Sequence, residues 1–167
     1  MSRVEQAQHR VARDRRLPIQ PQLERILERA AERTNLNVKV TSGGQRHMPG
    51  KAGRTIVGVR TGSARHDIRS GHLGAADLEL LDPETGRRLD LRNAADAARM
   101  GAFVEEAVAL GATGVGAGEG YMGVHRIHIG GGSSATWGAG RGRPIASFIR
   151  NSHQRGTTRQ RTERLTP

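Results

Sequence analysis

Apolar residues recur along the chain at intervals that define a short series of helices and strands. In QLERILERAAER, residues 22–33, Leu23, Ile26, Leu27 and Ala30 or Ala31 fall at helical spacing while Glu24, Glu28 and Glu32 line the outer side. This predicts an amphipathic helix, opened by the Pro18 and Pro21 punctuation and broken by Asn35 and Asn37. VKVTSGG, residues 38–44, alternates as a strand ending in a glycine pair, and TIVGVR, residues 55–60, predicts a second strand after a loop. AADLELL, residues 75–81, alternates and then runs apolar, so it is expected to be a central strand with Asp77 near its start. DPETGRRLDL, residues 82–91, reads as a turn and a short strand. Asn93 is the expected N-cap of a helix through residue 110, stopped by Gly111, with Met100, Phe103, Val104, Ala107 and Val108 on its buried face and Glu105 and Glu106 in solvent. GVHRIHIGGG, residues 123–132, supplies a further strand with His128 between Ile127 and Ile129. The fold these elements predict is α+β: a small, mostly antiparallel sheet with two helices packed on one face and a site on the other.

Composition adds restrictions. Aromatic residues make up 2% of the 167, so the core must be built from Leu, Ile, Val and Ala. There is no cysteine, which excludes disulfides and thiolate metal sites. No apolar run approaches the ~20 residues of a membrane span, and the first sixteen residues lack an apolar signal region, so neither a membrane span nor a signal peptide is expected. The formal net charge is +11, from 27 basic against 16 acidic residues, and it concentrates at both ends. This divides the chain into a basic N-terminal arm (1–19), expected to fray, a domain (20–150), and an Arg-rich tail (151–167), expected to be dispensable for folding. Such ends attract an anionic polymer, either nucleic acid or an anionic cell-wall polymer, or an acidic patch on a partner.

The chemistry-bearing residues lie in two stretches. RHDIRSGHLGAAD, residues 65–77, brings His66, His72 and Asp77 to the mouth of a strand, and His128 stands on another. Two imidazoles and a carboxylate are a usual three-ligand set for catalytic Zn²⁺, with either His66 or His72 as the first ligand. TGVGAGEGYM, residues 113–122, carries alternating glycines but lacks the Gly-Lys-Ser/Thr ending of a phosphate-binding loop. It reads as a strand and glycine loop forming a cleft floor, with Tyr121 on the rim. Glu119 and His125 are the acid–base candidates, His125 on the condition that the chain bends at Gly123, since odd spacing on a strand points it away from His128. Trp137, the single tryptophan, either covers the core or lines the cleft, and the core is the favoured place.

TSGGQR at 41–46, RHD at 65–67, GAADLEL at 74–80 and IHIGGG at 127–132 occur in the order of the signature of M15-type zinc D-Ala-D-Ala peptidases and peptidoglycan endopeptidases, whose fold is shared with the hedgehog signalling domain. Residues 20–150 resemble that family, and phage-encoded members in particular. The resemblance implies Zn²⁺ held by His66, Asp77 and His128, with IRSG at 68–71 as an insertion and His72 as the alternative ligand. It implies that Gln45 stands where relatives carry the Arg that holds a substrate carboxylate or developing oxyanion, so that either Arg46 or Arg65 takes over the electrostatic part. His125 and Arg126 occupy the positions where relatives carry their catalytic residue. The implied function is hydrolysis of peptide bonds in bacterial peptidoglycan by an endolysin or virion-associated lysin, located in the host cytoplasm during infection or in the phage particle among other virion proteins. A catalytically degenerate structural or adaptor protein of the particle is the alternative.

Overall fold

The computed structural model describes residues 1–11, 15–46, 55–56, 59–60, 64–67, 73–138 and 144–165. The elements run β1 (Val4–Gln6), α1 (Gln8–Val11), α2 (Pro21–Thr34), β2 (Asn37–Ser42), β3 (Thr55–Ile56), β4 (Val59–Arg60), β5 (Ala75–Leu81), α3 (Ala94–Ala109), β6 (Gly114–Gly118), α4 (Glu119–Met122), β7 (Gly123–Gly130), β8 (Ala135–Trp137) and α5 (Pro144–Leu165). The fold is α+β. Six strands form one sheet in the order β1-β2-β5-β7-β6-β8, antiparallel at its centre and parallel only in the two outer pairs. The segment expected to be one strand at 55–60 is instead a small separate antiparallel pair, β3 with β4.

Strand parity decides the two faces. Ala76, Leu78 and Leu80 of β5, Ile127 and Ile129 of β7, and Val115 and Ala117 of β6 share one core with the buried faces of α2 and α3. In α2 the buried residues are Leu23, Ile26, Leu27, Ala30 and Ala31, those on the predicted stripe, and the helix ends where Asn35 turns left-handed at φ 49°. Each fully buried leucine or isoleucine contributes about 1.5–3 kcal/mol to holding this layer on the sheet. Asn93 caps α3 as expected, its side chain accepting from the backbone N–H groups of Ala95 and Asp96. The predicted face Met100, Phe103, Val104, Ala107 and Val108 is buried. Among the described residues, no helix is long and apolar enough to cross a membrane.

Both ends differ from expectation. The N-terminal arm is not frayed: β1 pairs in parallel with β2, Leu17 bridges to Gly44, and Val4, Ala7 and Ile19 are buried. Nor is the C-terminal segment a solvated tail, for residues 144–165 form α5, a third helix packed along α3. Its buried stripe is Ile149, Ser152 and Gly156. Two glycines set the closeness of this contact. A Cβ on Gly156 would stand 2.6 Å from the Glu105 carbonyl oxygen, and one on Gly101 would stand 2.8 Å from Ser152 Oγ. Glu105 and Glu106, expected in solvent, instead receive Arg155 and Arg159 of α5, and Arg33 of α2 also reaches Glu106. Arg155 and Arg159 of the tail are therefore engaged within the domain.

Candidate metal centre

The sheet face opposite the helices carries the site, and its residues are in register. Ser42 of β2 pairs with Asp77 of β5, Asp77 with His128 of β7, His128 with Gly116 of β6, and Gly116 with Trp137 of β8. Cross-strand partners share a face, so this single row across five strands sets Asp77 and His128 side by side and stands Trp137 next to them. His66 arrives from a separate 3₁₀ turn, Ala64–His66.

That turn is pinned to the end of β2 at two points. His66 Nδ1 faces the Gly43 carbonyl at 2.8 Å, and the Gln45 N–H donates to the His66 carbonyl at 2.7 Å. A carbonyl only accepts, so Nδ1 carries a proton, and in the neutral ring Nε2 keeps the lone pair. Gly43 has to be glycine, because a Cβ there would sit 2.5 Å from the Leu17 carbonyl oxygen where the N-terminal arm passes.

His66, Asp77 and His128 are all buried, and each offers a ligand atom within 4.8 Å of the others. His128 Nδ1 lies 2.8 Å from Asp77 Oδ1, and His66 Nε2 lies 3.5 Å from the same oxygen. Burial would raise the Asp77 carboxyl, but hydrogen bonds and charge from His128 and His66 outweigh it and hold the group well below the usual carboxylate range. Burial lowers the His128 imidazole, against the opposing bond to Asp77, which favours the neutral ring. An ionised carboxylate beside a neutral imidazole is the protonation state that ligates a divalent cation. Among the described residues, His128 Nε2 is moreover buried without a hydrogen-bond partner, a deficit of about 1–3 kcal/mol if nothing else reaches it. On protein atoms alone the group is incomplete, and the three residues can hold a metal ion.

Around this group the sequence candidates separate. Arg65 lies at the rim, where its guanidinium stacks 4.6 Å from the Trp137 ring centroid and donates to the carbonyls of Gly131 and Ser133. Tyr121 is half exposed, and its hydroxyl accepts from Trp137 Nε1 at 2.9 Å. Trp137 is not a core residue as expected: it stacks beside His128, with centroids 4.9 Å apart, and lines the site. The glycine strand permits this, since a Cβ on Gly116 would stand 2.5 Å from Trp137 Nε1. Gln45 is buried beside the His66 turn, while Arg46 is exposed.

His125 and Glu119 do not join the three. No bend at Gly123 brings His125 around; it keeps strand parity, on the side of β7 away from His128, and its Nδ1 meets the Leu89 carbonyl at 2.8 Å. Glu119 is exposed at the start of α4, where its charge acts on Arg92. Both gather at the loop before α3. His72 and the insertion at 68–71 lie outside the described residues. The residue that sequence reasoning missed is Arg15, whose Nη1 donates to Asp77 Oδ2 at 3.0 Å and contacts His66 Nε2 at 3.3 Å. A buried carboxylate at Asp77 called for a cation, but nothing in the Arg-rich arm distinguished Arg15 from its neighbours.

Because Trp137 is the only tryptophan, its emission reports on this site. Replacing Gly116 by valine should drive the indole off His128, shift the emission to longer wavelength and cost about 1–3 kcal/mol by overpacking. Unchanged emission and stability would show that Trp137 does not depend on this glycine. Comparison of the chain with protein-family models, curated proteins and solved structures returned no match.

Proposed function

We propose that the protein is a zinc-dependent hydrolase of peptide bonds in bacterial peptidoglycan, encoded by a phage and related to the M15-type peptidases. The observation that carries this reading is the buried His66–Asp77–His128 group, with its two-imidazole, one-carboxylate donor set and an orphaned histidine nitrogen. Its order along the chain is that of the family signature: a strand ending in glycines, a first histidine after it, an aspartate on a central strand and a last histidine on the neighbouring strand. What a bound Zn²⁺ supplies is Lewis acidity toward a carbonyl and a water whose pKa falls toward ~7.

The chain's own residues supply the surroundings. Gly43 fixes the His66 tautomer, and Asp77 accepts from His128 Nδ1. Trp137 and the half-exposed Tyr121 offer an aromatic wall on one side of the group, against which apolar parts of a peptide can pack. Arg65 holds that wall from behind rather than standing free for substrate.

One observation favours the second reading, a structural or adaptor protein of the particle that keeps the fold but has lost catalysis. Neither acid–base candidate stands at the group, since His125 is on the other side of β7 and Glu119 is exposed near Arg92. The experiment separates the two. Protein stripped with chelator and reloaded with one equivalent of Zn²⁺ is incubated with purified peptidoglycan of several cross-link chemistries, and new amino termini are counted. Zinc-dependent release is the outcome expected of the peptidase. A zinc-loaded protein that releases nothing from any wall contradicts it and leaves the structural reading.

A further inference from the structure

Arg15 engages atoms that a metal ion at this group would also need. Its Nη1 is 3.0 Å from Asp77 Oδ2 and 3.3 Å from His66 Nε2, so one guanidinium nitrogen addresses two of the three ligand residues. His66 Nδ1 is committed to the Gly43 carbonyl, which leaves Nε2 as the only lone pair that ring can offer either a metal or Arg15. The lone pair that accepts an N–H is the lone pair a metal would take, and both cannot use it at once.

The backbone of this segment is held independently of the side chain. The Gly43 N–H donates to the Arg15 carbonyl at 2.8 Å, and Leu17 and Gly44 exchange two hydrogen bonds at 3.1 and 2.8 Å. The guanidinium can therefore leave without undoing the arm. It also has somewhere to go, being 29% exposed beside an Asp77 side chain that is only 11% exposed.

We propose that Arg15 is a resident internal cation of this site: it neutralises Asp77 and engages His66 until a divalent metal displaces it, so that the N-terminal arm sets how tightly the site takes metal. This rests on the metal-binding reading above. It assigns the basic arm a function inside the molecule rather than toward a polyanion. A charge-assisted hydrogen bond to a carboxylate is given up on each loading event, and that cost lowers the apparent metal affinity.

The test is a competition titration of Zn²⁺, against a chromophoric chelator, into the full-length wild-type chain and into Arg15→Gln and Arg15→Ala. Both variants should bind Zn²⁺ roughly tenfold or more tightly than the wild type. In the wild type alone, a hydrogen-bonded guanidinium N–H resonance of Arg15, assigned by its absence from R15Q, should be lost on adding one equivalent of Zn²⁺. This second readout stands even if a variant fails to fold. Equal or weaker binding by the variants, or an Arg15 resonance that persists in the zinc-loaded protein, overturns the inference and leaves the metal site standing. No Zn²⁺ bound by either the wild type or R15Q overturns the metal reading and this inference together.

Discussion

Asp77→Ala should lose metal binding by more than ~100-fold, because even outer-shell partners of a metal site are worth 10–100-fold in affinity and Asp77 is an inner member of the group. The same change should destabilise the metal-free protein. Asp77 is the shared acceptor for His128 and Arg15 and lies 3.5 Å from His66 Nε2, and its removal leaves the two buried imidazoles and a partly exposed guanidinium without it. About 1–3 kcal/mol is expected, toward the lower end because Arg15 can turn to water. The pH dependence carries a sign that checks the cause. Asp77 is lowered from 3.8 and His128 from 6.5, so both contribute stability that is complete above those values and is lost as the pH falls below them. Chemical denaturation of the metal-free wild type between pH 8 and pH 3 should therefore show stability falling on the acid side, in two stages. Asp77→Ala should shrink the lower stage without removing it, because Asp82, Asp90, Asp96 and Glu106 are also held low by arginine partners and lose stability in the same range. A variant that binds zinc as the wild type does would remove Asp77 from the site.

Deleting residues 151–167 should destabilise the fold by about 2–5 kcal/mol, a drop in midpoint on the order of 10 °C for a domain of this size. The deletion strips Ser152 and Gly156 from α3, uncovers Val108, takes Arg155 and Arg159 from Glu105, and leaves Glu106 with Arg33 in place of Arg159 and Arg33 together. Thermal unfolding followed by circular dichroism is sufficient to measure it. An unchanged midpoint would mean that α5 beyond Arg150 adds nothing to the core, as a dispensable tail requires.

That prediction reverses what composition suggests, and the reason is physical. Helix α2 could be read from the sequence because its buried stripe is apolar. The stripe of α5 is Ile149, Ser152 and Gly156, where small residues let two helices approach closely and only one of the three looks hydrophobic. Surrounded by arginines, it carries no amphipathic signal. The N-terminal arm hid itself similarly, through a three-residue strand and a glycine pair whose purpose appears only when Leu17 is seen passing over Gly43.

The site divides along the same line. Asp77 and His128 stood out as polar residues inside apolar alternation, and the sheet places them opposite each other. His66 was separable from His72 only through the family resemblance, and the structure puts His66 within reach. His125 failed because the expected bend at Gly123 does not carry it around the strand, so parity decides its side. Trp137 was expected in the core because a lone tryptophan in an aromatic-poor chain has no better default. What places it at the site is the strand register Gly116–Trp137, a pairing between segments that no local pattern encodes. Arg15 is a long-range contact across 62 residues, and one arginine among many.

The central claim is that His66, Asp77 and His128 together hold one zinc ion, and zinc-edge X-ray absorption on protein loaded with one equivalent tests it most directly. Two imidazole nitrogens at ~2.0–2.1 Å and oxygen ligands completing a four-coordinate shell are the expected result. A first shell with fewer than two imidazoles, or a protein that retains no zinc after gel filtration, would contradict it.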